Sequence, residues 1–294
     1  MQTRDSHLGL NLSAGFASVA VALVLVGLKL WALASTGALS VAASLADNVM
    51  DLLVSSAGLG AILYAARPAD DDHAFGHSSI EDIASLGQAV LVSVSAFVIA
   101  GAASLRLISA NPPALAAEGE GIVVMLVSVV LTGALVLWQS RVAARTGNKV
   151  VAADRLHYLG DLFPTLGAIL ALWLSARFGW SQVDSVIAIL AAAYMLRGAA
   201  GIGLDAFHAL MDRSASPEVL AELAEIAANH PGVLGFHDLK TRTAGSKLFV
   251  NLHVELDGAQ SLDAAHAIAA ALKARMTEAF PRSEIIIHQD VWRG

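Results

Sequence analysis

Six stretches of this chain, roughly 10–34, 38–65, 83–107, 119–141, 157–176 and 182–205, are each long and apolar enough to cross a bilayer as a helix, which takes about 20 residues. Lipid offers no hydrogen-bond partner, so each stretch must satisfy its backbone internally. The expected class is therefore a polytopic α-helical membrane protein with six transmembrane helices. Composition agrees. The chain is 56% hydrophobic before its 24 glycines are counted, against about 45–50% with glycine included for soluble domains. Only 15% of residues are charged, which argues against a soluble globular enzyme. The net charge of -7 provides no electrostatic footprint for nucleic acid, which demands a surplus of Lys and Arg. The partner expected instead is membrane lipid.

Basic residues orient the spans. Arg67 follows the second segment, and Arg141, Arg145, Lys149 and Arg155 surround the gap after the fourth, which places these gaps in the cytoplasm. The opposite loops, around Asn111-Pro112-Pro113 and Arg177-Phe178-Gly179-Trp180, carry only Arg106 and Arg177. Both termini are then expected in the cytoplasm, in agreement with an even number of spans. The first segment has no small-residue cleavage site behind a brief apolar core, so it is expected to be retained rather than removed as a signal peptide.

The texture changes after about Leu210, and the domain boundary is placed there, with 1–210 in the membrane and 211–294 outside it. Glu218, Glu222 and Glu225 recur along 218–229 between Leu220, Leu223 and Ile226, the pattern of an amphipathic helix. Residues 247–256 alternate as a half-buried strand does, 262–279 read as a second amphipathic helix, and 285–287 as a short strand. The order helix, strand, strand, helix, strand predicts a small cytoplasmic α+β domain with two helices on one face of a three-stranded sheet.

The chemistry begins inside the second span. Asp47 and Asp51 are four residues apart, stacked on one helical face about 6 Å apart along the axis. An ionisable group at the bilayer centre costs at least about 2.5–3.5 kcal/mol, and a cation or proton between two carboxylates relieves both that cost and their repulsion. In the fifth span His157 and Asp161 repeat the spacing. Two helices can thus present one imidazole and three carboxylates to one point, a set suited to a tetrahedral divalent cation. The chain has no cysteine, so disulfides and thiolate ligands are excluded and any metal must be held by nitrogen and oxygen. Such donors favour Zn²⁺, admit Cd²⁺, Fe²⁺, Co²⁺ or Mn²⁺, and disfavour Cu⁺.

These motifs make the chain resemble the cation diffusion facilitator family, of the bacterial ferrous-iron and zinc efflux type, nearly from end to end. The resemblance implies six spans, a cytoplasmic ferredoxin-like dimerisation domain, and a transport site on Asp47, Asp51, His157 and Asp161. The loop Asp70-Asp71-Asp72-His73-Ala74-Phe75-Gly76-His77 is similar to the family's second metal site, whose ligands would fall on Asp70, His73 and His77. One departure stands out. Relatives commonly carry Gly-Lys after the second loop histidine, and that lysine pairs with an acid near the end of the last span. This chain has Ser78-Ser79, while Asp212 matches the acid.

Further along, His237, His253, His266, His288 and Asp290 match positions that in relatives form a two-metal site between paired domains. Spacing supports part of this. His288 and Asp290 share one face of a strand, as do Asn251, His253 and Glu255, by the period of two. His7, His208 and His230 are left unassigned.

The resemblance implies proton-coupled antiport with alternating access in a bacterial inner membrane, carried out by a homodimer. Zinc is the foremost substrate and regulatory ion, with iron, cadmium or manganese as other cargoes. His157 can bind either a proton or the metal, because ligation requires neutral imidazole. No enzymatic activity is expected, and no His-Glu-x-x-His helix motif of a metalloprotease is present. A membrane-bound metal sensor without transport is the alternative, because the cytoplasmic histidines would serve it equally well. The membrane carboxylate pair is what a sensor does not need.

Overall fold

The computed structural model describes residues 2–36, 39–108, 119–178 and 183–293. They divide into two compact units, one spanning His7–Ala206 and the other built on Phe207–Gly294. The loops expected around Asn111-Pro112-Pro113 and Gly179-Trp180 lie outside the described residues.

The first unit consists of long helices, α1 (Gln2–Thr36), α2 (Leu39–Ala65), α3 (Ile80–Ile108), α4 (Gly119–Thr146), α5 (Lys149–Phe178) and α6 (Val183–Leu210). Among the described residues five contain a stretch long and apolar enough to cross a membrane: His7–Ala34, Asp47–Ala65, Ile80–Ile108, Leu126–Thr146 and Ser185–Leu210. Helix α5 carries Lys149, Asp154, Arg155 and Asp161 near its start, and its apolar run, 162–176, follows them. It is also the helix that packs against α2, α3 and α4. Leu156 joins a core of Ala89, Val92, Ala96, Ala192 and Met195 from α3 and α6, while Tyr158 packs on Leu135 and Val136 of α4. Small side chains allow such close approach in lipid, where no hydrophobic force separates protein from solvent. At Gly198 of α6 an added Cβ would lie 2.8 Å from Leu156 Cδ2.

The gap expected after the fourth span is reduced to Gly147 and Asn148, because α4 and α5 extend past the apolar stretches on both sides. Gly147 turns the chain at φ +66, in the left-handed region that glycine enters without steric cost. Asn148, buried at 1% exposure, then caps α5: its side-chain oxygen accepts from the Val151 N–H at 3.0 Å. Its amide donates to buried Glu81 at 2.7 Å. Beside it the Lys149 ammonium reaches Asp82 at 2.7 Å. Glu81 and Asp82 occupy the first turn of α3, where the helix dipole favours negative charge, so this corner ties α3 to the α4–α5 turn.

The second unit follows the sequence pattern. Helix α7 (Pro217–Ala228) starts at an N-cap, Ser216, with proline in its first turn, and α8 (Leu262–Ala279) is capped by Ser261. Strands β1 (Gly235–Ala244), β2 (Lys247–Leu256) and β3 (Ser283–Val291) lie in the order β1-β2-β3. The first pair is antiparallel and the second parallel, with α8 as the crossover that parallel strands require. Strand β3 is longer than the expected 285–287. Val250, Leu252, Val254, Leu256 and Ile285 pack under Leu223, Leu272 and Met276 of the helices. Alternate residues of β2, Asn251, His253 and Glu255, therefore point to the opposite face.

Replacing Asn148 with Ala removes both the cap and a donor to buried Glu81. The full-length protein should lose about 1–3 kcal/mol, read as a lower thermal unfolding midpoint in detergent; an unchanged midpoint would mean that Asn148 does not hold the turn.

Candidate metal centres

Four groups of His and carboxylate side chains, among the described residues, bring three donor atoms each within 4.8 Å of one another. One lies in the membrane unit. Asp51 of α2 meets His157 of α5, with Oδ1 and Nε2 3.0 Å apart, and Asp161, one turn further along α5, completes the group. A tetrahedral ion with bonds of about 2.0–2.1 Å places its donors about 3.3 Å apart, so the Asp51–His157 pair already has the spacing of two ligands. Asp51, at 9% exposure, and Asp161 line a cavity of about 320 Å³ together with Asp47, Asn48 and Lys29. Asp47 stands at the cavity wall and does not join the close group.

Two features of this region escaped the sequence reading. Asp154, buried at 5% exposure, accepts from Ser18 of α1 at 2.6 Å and Gln139 of α4 at 2.6 Å, and from Ser55 of α2 at 3.3 Å. Ser55 in turn meets the Tyr158 hydroxyl at 2.9 Å. Four helices thus converge on one carboxylate beneath the His157 imidazole, which restricts how α5 can turn. The signal was available: Asp154 precedes His157 by three residues and Ser55 follows Asp51 by four, spacings that share a helical face. The second is Lys29, whose ammonium donates to Asn48 Oδ1. It sits in an apolar stretch of mean hydropathy 2.2, where an ionisable residue is itself a functional signal.

In the loop after α2, Asp70, His73 and His77 form a second group. One carboxylate oxygen of Asp70 accepts from the His73 backbone N–H at 2.7 Å, and the other lies 3.1 Å from His77 Nε2. The His73 backbone N–H holds the Asp70 carboxyl below the usual carboxylate range. The His77 side chain is buried against the edge of Tyr64, ring centroids 4.7 Å apart, so it enters the group with its orientation already set.

The remaining two groups share the open face of the cytoplasmic sheet. Strand register places His237 opposite His253 and His253 opposite His288, a row across all three strands. Ring centroids are 5.0 and 4.5 Å apart along it. Asp290 reaches the whole row, with His253 Nδ1 at 2.8 Å, His237 Nε2 at 3.3 Å and His288 Nε2 at 3.4 Å. The His253 hydrogen bond holds its carboxyl below the usual range. A bulge between His237 and Lys240, with Asp238 at φ +52, brings Asp238 to 3.6 Å from His237 Nδ1. The Lys240 ammonium at 3.4 Å pulls the Asp238 carboxyl down. His266 stands exposed on α8 and is in none of these groups. Asp212 pairs within its own unit with Arg242 of β1 at 3.2 Å.

A helical unit with spans long and apolar enough for a membrane, carboxylates and an imidazole at one point, and a sheet with a row of histidines is the make-up of a cation-handling membrane protein. The family model for the cation efflux transmembrane domain matches residues 15–211, and that for the cation efflux protein cytoplasmic domain matches residues 215–291. The chain belongs to the cation diffusion facilitator family: it is a FieF-like cation-efflux transporter and not an enzyme, multi-pass, with its C-terminal domain in the cytoplasm. The cation-efflux pump FieF of Shewanella oneidensis is 43% identical over 274 residues, covering 93% of this chain and 92% of that protein. FieF of Escherichia coli strain K12 / DH10B is 36% identical over 277 residues, covering 94% and 91%. A solved chain of CzrB shares 27% identity with a TM-score of 0.26, covering 27% of this chain and 99% of that one.

The membrane and sheet groups are separate in the chain, so their loss should be separable. His253→Ala should lower the number of Zn²⁺ ions bound per chain, measured by equilibrium dialysis, while zinc flux through the membrane unit persists. Flux lost as completely as in Asp51→Ala would show that the two are one functional site.

Proposed function

We propose that this protein exports a divalent cation, zinc foremost, from the cytoplasm across a bacterial inner membrane in exchange for protons. The observation that carries the reading is the Asp51–His157–Asp161 group, three metal-ligating side chains meeting where two membrane helices pack. Asp47, at the wall of the same cavity, is the fourth ligand. With one imidazole and three carboxylates the set matches zinc, and it also accommodates Fe²⁺, Cd²⁺ or Mn²⁺. Because His157 must be neutral to ligate, a proton and a metal exclude each other there. Alternating access then converts that competition into coupled and opposite fluxes.

Asp70, His73 and His77 would take up the ion on the cytoplasmic side, with both termini in that compartment. The row of His237, His253, His288 and Asp290 would hold regulatory zinc in a homodimer, with His266 supplied across the interface by a second copy. Metal binding there favours one arrangement of the pair only by its differential affinity for that arrangement. The same row is the one observation that favours the second reading, a membrane-bound metal sensor without transport, because nothing in it requires flux.

The test is uptake of Zn²⁺, Fe²⁺, Cd²⁺ and Mn²⁺ into proteoliposomes under an imposed pH gradient, with internal pH followed in parallel and Asp51→Ala as control. Metal moving against protons, lost at least about 100-fold in the variant and weakened on acidification because a proton and the metal compete for the same ligands, is the expected result. Binding of several ions per chain with no flux of any metal would favour the sensor.

A further inference from the structure

We propose that Lys29 is a built-in counter-ion of the membrane cation site, a fixed positive charge that limits how tightly a divalent ion is held so that the ion can leave. This rests on the ligand set assigned above. An ammonium on a membrane helix is costly unless an anion or a dipole meets it. Here it donates to Asn48 Oδ1 and lines the cavity shared by Asp47, Asp51 and Asp161. Asn48 is buried at 5% exposure and lies on α2 between the two acids, so it anchors the ammonium beside the carboxylates without itself carrying charge.

The charged groups lining this cavity are Lys29 from α1, Asp47 and Asp51 from α2, and Asp161 from α5, with the His157 imidazole beside Asp51 and Asp161. With His157 neutral, as ligation requires, three carboxylates and one ammonium sum formally to minus two. A divalent cation brings that to zero, and its departure leaves minus two rather than minus three. Without Lys29 the occupied site would remain negative and the vacated one would be more strongly charged. Both changes favour retention of the ion, because the like charge that opposes binding has been removed in a region of low dielectric. A transporter needs binding strong enough to capture its ion and weak enough to release it. The ammonium shifts the site toward release and needs no direct contact with the metal.

The experiment uses the full-length protein with Asp70→Ala and His253→Ala in the background, so that zinc binding reports mainly the membrane unit. Lys29→Gln removes the charge while keeping a donor for Asn48; Lys29→Met removes both, and Lys29→Arg keeps the charge. For Lys29→Gln and Lys29→Met the expected result is zinc bound about tenfold or more tightly, a lower KM for flux, and a maximal rate reduced about tenfold. Lys29→Arg should restore both wild-type values. A dissociation constant unchanged or weakened in Lys29→Gln overturns the proposal, as does failure of Lys29→Arg to restore the rate. Zinc retained by the membrane unit of Asp51→Ala would instead overturn the ligand assignment on which it rests, a failure distinct from that of Lys29.

Discussion

A carboxylate inside a bilayer persists only where protic groups or a cation face it, and the membrane unit is organised around that requirement. Helix α5 carries two acids, Asp154 and Asp161, about two turns apart on one face, and each is met differently. Asp154 is surrounded by hydroxyl and amide donors from α1, α2 and α4. One turn on, the His157 imidazole meets Asp51 at 3.0 Å while Asp161 stands open to the cavity. The first arrangement is closed and tethers the helix. The second borders the cavity, which on the proposed reading is where a metal or protons complete it. Placing the tether and the reactive group three residues apart on one face makes the orientation of His157 a consequence of packing around Asp154.

The cytoplasmic unit solves a different problem with strand geometry. Its two helices cover one face of a three-stranded sheet, where Val250, Leu252 and Val254 form the core. The period of two then sends Asn251, His253 and Glu255 to the other face, and register extends that row through His237 and His288. Asp290 touches all three imidazoles. Donors gathered on an open face are reachable by a second copy, in keeping with a dimeric domain. The Asp212–Arg242 pair has a related consequence. Asp212, the acid after the last span, is held within the cytoplasmic unit by Arg242 of β1.

Much of this was legible from the amino-acid sequence, and for a physical reason. Long apolar runs and the periods of 3.6 and 2 are local signals, so the helical membrane class and the order helix, strand, strand, helix, strand could be read directly. The i, i+4 pairs at Asp47/Asp51 and His157/Asp161 were conspicuous because charge is rare in such segments. What escaped was anything that depends on which helices meet. Asp154 takes its role from Ser18 and Gln139, which reach it from distant segments. Lys29 showed its meaning only when α1 was seen to share a cavity with α2 and α5. The two-residue α4–α5 turn was missed because hydropathy marks where a bilayer ends and not where a capped helix ends.

On the proposed reading Asp51, His157 and Asp161, with Asp47, bind the transported ion. The most direct measurement is zinc K-edge X-ray absorption on full-length protein in which Asp70, His73, His253 and Asp290 are replaced by Ala. The expected result is retained zinc with a first shell of four nitrogen and oxygen donors at about 2.0 Å, a single imidazole in the outer scattering, and loss of this zinc on Asp51→Ala. No retained zinc, or a shell with several imidazoles that survives Asp51→Ala, would contradict it.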